Sequence, residues 1–158
     1  MPRFILVLLA ACASAAPKPE AAAPETFQAT LDSGSEVPPP KVDASAQPSG
    51  KAAFTVAGRT IVYKVSADGL SSAFTMAHIH AGAPGTAGPV VVPLQLAATP
   101  GGAAGEGTLD AAAIKGKRAD GSLMTMDDLL AALRSGGLYV NVHTANNKAG
   151  EVRGQIKP

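Results

Sequence analysis

Ala53-Phe54-Thr55-Val56, a turn at Ala57-Gly58-Arg59, then Thr60-Ile61-Val62-Tyr63-Lys64-Val65: this stretch decides the fold. Side chains of a β-strand alternate between its two faces. Phe54 and Val56 before the turn share such a face, as do Ile61, Tyr63 and Val65 after it, with Thr55 and Lys64 on the opposite side. Two alternating runs around a glycine-bearing turn read as an antiparallel hairpin. Phe27-Gln28-Ala29-Thr30-Leu31 alternates in the same way. Further strand signals lie at Phe74 to His80, Val90 to Leu96, Gly107 to Leu109, Leu138 to Thr144 and Glu151 to Lys157, parted by glycine and proline. Seven or eight short strands of this kind predict an all-β, antiparallel, Greek-key-like β-sandwich.

One helix interrupts the strands, expected over about 125–135. Thr125 can cap Met126-Asp127-Asp128-Leu129-Leu130-Ala131-Ala132-Leu133-Arg134, the paired aspartates sit near the positive end, and Gly136 or Gly137 stops it. Leu129, Leu130 and Leu133 fall on one face at helical spacing and are expected to pack against the sandwich. Asp127 and Asp128 thus have a structural use, and nothing in the sequence places them in a catalytic cleft.

The start of the chain bears on the compartment. Met1-Pro2-Arg3 carries one positive charge, Phe4 to Leu9 is apolar, and Leu9-Ala10-Ala11-Cys12 ends the run. The apolar run is too short for a span, which needs about 20 residues, and reads as an export signal over 1–11. Leu-Ala-Ala-Cys resembles the lipobox of bacterial lipoproteins, which implies acylation of Cys12. As the chain has one cysteine, it can form no internal disulfide. Ala13 to Glu25 is rich in alanine and proline and reads, with Cys12, as a tether over 12–25. Residues 26–158 then have the size of one domain. The expected location is the bacterial cell envelope, at the outer membrane or the periplasmic face, with the membrane as partner through the lipid.

Loss of Arg3 with the signal leaves twelve basic against twelve acidic side chains. No cluster of Lys and Arg interleaved with aromatics appears, so nothing marks the chain for nucleic acid. Nor does a basic patch mark it for anionic lipid. The glycine run Gly82 to Gly88 leads into a strand and not a helix, which excludes a phosphate cradle of the helix-terminus kind. There is no Gly-x-Ser-x-Gly elbow, and no constellation supports an enzyme.

All three histidines lie in two short motifs, Met76-Ala77-His78-Ile79-His80-Ala81-Gly82 and Tyr139-Val140-Asn141-Val142-His143-Thr144. On a strand, His78 and His80 share a face about 6–7 Å apart at their bases, from where two imidazoles can converge on one ion. If Ala77, Ile79, Val140 and Val142 face the core, the histidines face outward or into an edge groove. Met76 shares their face and could add a thioether, favouring Cu(I). Parity puts Arg153 on the histidine side of the last strand. If the three strands are neighbours, Asn141 and Arg153 stand beside the ligands, able to orient them or to hold an anion. Histidines exposed on strands, or bracing loops through backbone carbonyls, would account for the same letters.

Several motifs in series carry a resemblance. Ser35-Glu36-Val37-Pro38-Pro39, Ala77-His78-Ile79-His80-Ala81-Gly82 with Gly88-Pro89-Val90-Val91, Tyr139 to Thr144, and Gly150-Glu151-Val152-Arg153-Gly154-Gln155-Ile156 resemble the successive signatures of the chordin-type (CHRD) domain. Asn146-Asn147-Lys148-Ala149 departs from it, since the family more often has a Pro-Gly turn there. The resemblance implies a β-rich extracytoplasmic domain; in animal chordin such domains accompany growth-factor-binding modules. A weaker similarity links His78, His80, His143 and Arg153 to the copper side of copper/zinc superoxide dismutase. The zinc ligands and disulfide of that enzyme have no counterparts, which argues against dismutase activity. Two functions remain open. One is a lipid-anchored envelope protein binding copper, or zinc, through three histidines. The other is a non-catalytic surface binding or adhesion module, its protein partner unspecified, in which the histidines are structural.

Overall fold

The computed structural model of the chain describes residues 23–43, 45–118 and 120–158. Its strands are β1 (Glu25–Asp32), β2 (Ser49–Ala57), β3 (Thr60–Asp68), β4 (Phe74–Ala81), β5 (Val90–Leu94), β6 (Ala97–Thr99), β7 (Gly102–Leu109), β8 (Leu138–Thr144) and β9 (Val152–Gln155). They form one antiparallel sheet in the order β5-β4-β8-β9-β1-β2-β3-β7-β6. The all-β expectation holds, with one refinement: the layers belong to a single curled sheet. β1 joins them, pairing along its length with β2 and at Asp32↔Arg153 with β9. The two edge strands, β5 and β6, follow one another in the chain, so the curl brings the sheet's ends together at Gln95 and Leu96. Tyr63 fixes this corner, its hydroxyl accepting from Gln95 N at 3.0 Å and donating to Gln95 O at 3.3 Å.

The β2–β3 hairpin forms as its alternation predicts, with Phe54↔Tyr63 and Val56↔Ile61 as facing pairs. Gly58, at φ 61°, provides the left-handed conformation that so tight a turn demands. The inward sets of β1, β2, β3, β4, β8 and β9 meet in one apolar core. Two elements escape the sequence pattern. β6 is three exposed residues, and β7 begins at Gly102, five residues before the expected Gly107, because Gly102 to Glu106 has no apolar alternation to reveal it.

The helix, α1 (Met126–Arg134), is where expected. Thr125 and Asp128 cap it reciprocally: Asp128 N donates to Thr125 Oγ1 at 3.3 Å and Thr125 N to Asp128 Oδ2 at 2.6 Å. Leu129, Leu130 and Leu133 are buried together with Met126. Asp128 also meets Arg118 at 2.5 Å, and Asp127 pairs with Arg59 of the hairpin turn. Both aspartates therefore serve the fold. Among the described residues no helix is long and apolar enough to cross a membrane. Cys12, the signal and most of the tether lie outside the described residues.

Candidate metal centre

Strand β8 lies between β4 and β9, so the three strands that carry the histidines and Arg153 are neighbours. The register sets Met76 opposite His143, His78 opposite Asn141 and His80 opposite Tyr139 on one side, and Arg153 opposite Asn141 on the other. This face points away from the core, yet every residue of β8 is buried, on both faces. The covering comes from loops. Gly88 O, in the 82–89 segment, lies 2.9 Å from His80 Nδ1, and Lys148 O, in the 145–151 segment, lies 3.0 Å from His143 Nδ1.

These two contacts fix the rings. A carbonyl only accepts, so Nδ1 of His80 and of His143 carries the hydrogen and Nε2 carries the lone pair. His80 Nε2 is buried and meets no partner among the described residues. His143 Nε2 lies 3.1 Å from His78 Nδ1. One ligating nitrogen from each of the three rings falls within 4.8 Å of the other two. The rings keep ligand-like spacing, with centroids 5.0 Å apart for His78–His143, 5.6 Å for His78–His80 and 6.0 Å for His80–His143.

Burial holds all three imidazoles neutral. It drives His78 down to about 4, assisted by His143 and His80. It also lowers His80, with Arg153 adding to the effect and the Gly88 carbonyl opposing it. His143 is lowered by burial and by His80, against the Lys148 carbonyl. Neutral imidazole is the form that binds metal. For Nδ1 of His78 to offer a lone pair as well, its hydrogen would have to sit on Nε2, the other neutral tautomer.

Met76 is on the same face opposite His143 and is exposed. Asn141 and Arg153 are beside the rings, with no hydrogen bond to any of them. Asn141 Nδ2 donates to Ala149 O at 3.2 Å and to Glu36 Oε2 at 3.4 Å. Gly150 lets that loop close over it: φ is 136°, and a Cβ there would sit 2.3 Å from Asn141 Oδ1. Arg153 is 2% exposed, its Nη2 donating to Ala83 O at 3.0 Å. Its guanidinium carbon lies 3.4 Å from the centre of the Tyr139 ring. His80 stacks on the same ring at 4.9 Å. Since β4 and β9 flank β8, Tyr139 stands between the histidine and the arginine.

Sequence reading missed three polar residues around this centre. Glu36 is buried beside Asn141, where desolvation raises its carboxyl to about 7 against the opposing hydrogen bonds and the field of Arg153. Glu151, fully buried, accepts from Ser71 N (2.6 Å), Ser71 Oγ (2.7 Å), Thr144 Oγ1 (2.6 Å) and Asn147 Nδ2 (2.8 Å). Asn147, in the loop that lacks a Pro-Gly turn, also exchanges hydrogen bonds with the backbone of Lys41. The available signal was an acid or amide set among apolar motif residues.

The model of the CHRD domain matches residues 27–156. The chain belongs to the CHRD domain family. No curated protein and no solved structure matched it. Within the CHRD domain the match runs from β1 through Ile156 and includes every residue of the histidine face.

Proposed function

We propose that this CHRD-domain protein binds a transition-metal ion, copper before zinc, through His78, His80 and His143. One observation carries the reading: His80 Nε2 is a buried lone pair without a partner among the described residues, in a group of three neutral imidazoles that each bring one nitrogen within 4.8 Å of the others. An orphaned buried acceptor costs about 1–3 kcal/mol, and an ion held by three rings removes that cost. Met76 or a water is the candidate fourth ligand. The reading is of a binding protein. The alternative, a surface binding module with structural histidines, draws on the loop-bracing bonds of His80 and His143 to Gly88 and Lys148.

Copper and zinc titrated by calorimetry into untagged protein and into His78→Ala/His80→Ala should give a loss of at least ~100-fold in affinity for the variant. Tyrosine emission gives an independent readout, because the chain has no tryptophan and Tyr139 stacks on His80. Identical isotherms for the two proteins would hand the histidines back to loop bracing. The pH dependence follows from the lowered ring pKa values. Protons compete only where the rings protonate, so the fall in affinity should begin below the ordinary imidazole value of 6.5 and continue as His78 is approached near 4.

We further infer attachment to the cell envelope through acylated Cys12, supported by the Leu9-Ala10-Ala11-Cys12 sequence and the tether behind it. Two acyl chains give stable anchoring where one is marginal. A fatty-acid probe should label the wild type and leave Cys12→Ser unlabelled; equal labelling rejects the anchor.

A further inference from the structure

We infer that Arg153 sets the charge of the ion accepted by the three-histidine centre, making it a site for monovalent copper in preference to divalent ions. This rests on the reading of His78, His80 and His143 as ligands, and deepens it by naming the valence. Three observations carry it. First, the converging donors are all neutral: among the described His, Cys, Asp and Glu residues, the clustered group consists of these three histidines without a carboxylate. Second, Arg153 is 2% exposed and has no carboxylate within ion-pair distance among the described residues. Its positive charge is thus buried without direct neutralisation, on the far side of the Tyr139 ring from His80. Third, Arg153 shares the Tyr139 ring with His80, one of the three ligands, and its field reaches that imidazole.

Below neutral pH the two buried acids do not change this balance at the rings. Glu36 faces Asn141 within the field of Arg153, and burial raises its carboxyl to about 7, so it offsets the arginine only where it ionises, from neutral pH upward. Glu151 is ionised, but all four of its hydrogen bonds go to Ser71, Thr144 and Asn147, beyond the His143 end of β8. A cation entering the centre therefore meets a fixed positive charge and no negative ligand.

Repulsion between Arg153 and the ion scales with ionic charge. A divalent ion feels twice the energy a monovalent one does, so its binding constant is reduced by the square of the factor. At roughly 8 Å and an effective dielectric near 40, that factor is about sixfold for a monovalent ion and about 34-fold for a divalent one. Three imidazoles also complete the low coordination that suits Cu(I), whereas zinc requires a fourth ligand.

The test uses the full chain carrying Cys12→Ser, which removes a thiol that would compete for Cu(I). Affinities for Cu(I), kept reduced under anaerobic conditions, and for Zn(II) are measured by competition with colorimetric chelators. The parent should hold Cu(I) at least ~100-fold more tightly than Zn(II). Arg153→Gln should raise Cu(I) affinity about sixfold and Zn(II) affinity about 34-fold, narrowing the preference. Arg153→Lys, which keeps the charge, should match the parent. Where Arg153→Gln melts too low to assay, Arg153→Met keeps the apolar stem against Tyr139. Equal gains for both ions, no gain for Zn(II), or a parent that binds Zn(II) as tightly as Cu(I) would overturn the assignment while leaving the metal centre standing. Absence of histidine-dependent binding of either ion overturns both.

Discussion

Leu133→Asp should leave the domain unfolded at room temperature, while Arg134→Ala, one residue on, should melt close to the parent. Leu133 is 2% exposed and lies in the apolar core with Leu129 and Leu130. An aspartate there has no partner for its charge, and the penalty of about 4 kcal/mol or more is a large part of the stability of a domain this size. Arg134 instead reaches back to the first strand, its Nε and Nη2 donating to Glu25 at 2.8 and 2.5 Å. That pair is about half exposed and screened by solvent. Thermal melts followed by circular dichroism separate the two outcomes, and similar melts would mean the helix does not present this face to the sheet.

Glu151→Gln should cost about 2–4 kcal/mol at pH 7, the second largest effect we expect. The carboxylate accepts four hydrogen bonds in full burial, and the amide nitrogen of glutamine would turn a donor toward other donors. Burial alone would raise this carboxyl, but the bonds from Thr144, Ser71 and Asn147 outweigh it and hold its pKa below the ordinary 4.5. The sign follows. With the folded pKa lower than the unfolded one, the ionised group stabilises the fold above about pH 4.5, and that contribution disappears as pH falls through the folded value. The gap between wild type and variant in urea denaturation should thus narrow as pH drops from 4.5 toward 3. A gap that stays constant across that range would show Glu151 to be protonated in the fold.

Much of the fold was legible because apolar alternation reports directly which side of a strand meets the core. Phe54, Tyr63, Val140 and Val152 all point where their parity says. The helix was legible for the same reason at a different period, with Thr125 and Asp128 marking its start. β6 and the first half of β7 were not, since alanine and glycine bury too little surface to leave a pattern. For the histidines, parity gave a common face, and pairing of β4, β8 and β9 made it a cluster. Parity could not give the cover. That Tyr139, Asn141, His143 and Arg153 are buried on the outward face depends on loops, and the burial of Glu36 and Glu151 depends on contacts 80 or more residues away in sequence, such as Ser71 with Glu151.

The corner at Gln95 and Leu96 determines how the molecule meets copies of itself. An open sheet offers its unpaired backbone at both margins, and a long flat margin recruits another chain into a growing fibril. Here one margin is five residues long with Pro93 inside it, lacking an N–H, and the other is three residues of β6 followed by residues 105–109 of β7, which β6 does not reach. β5 and β6, consecutive in the chain and turned through the corner that Tyr63 fastens, are too short to serve as templates, and Gly105, Glu106 and Gly107 weaken the rest of the second margin. Crowding the protein at high local concentration should therefore not thread it into cross-β stacks.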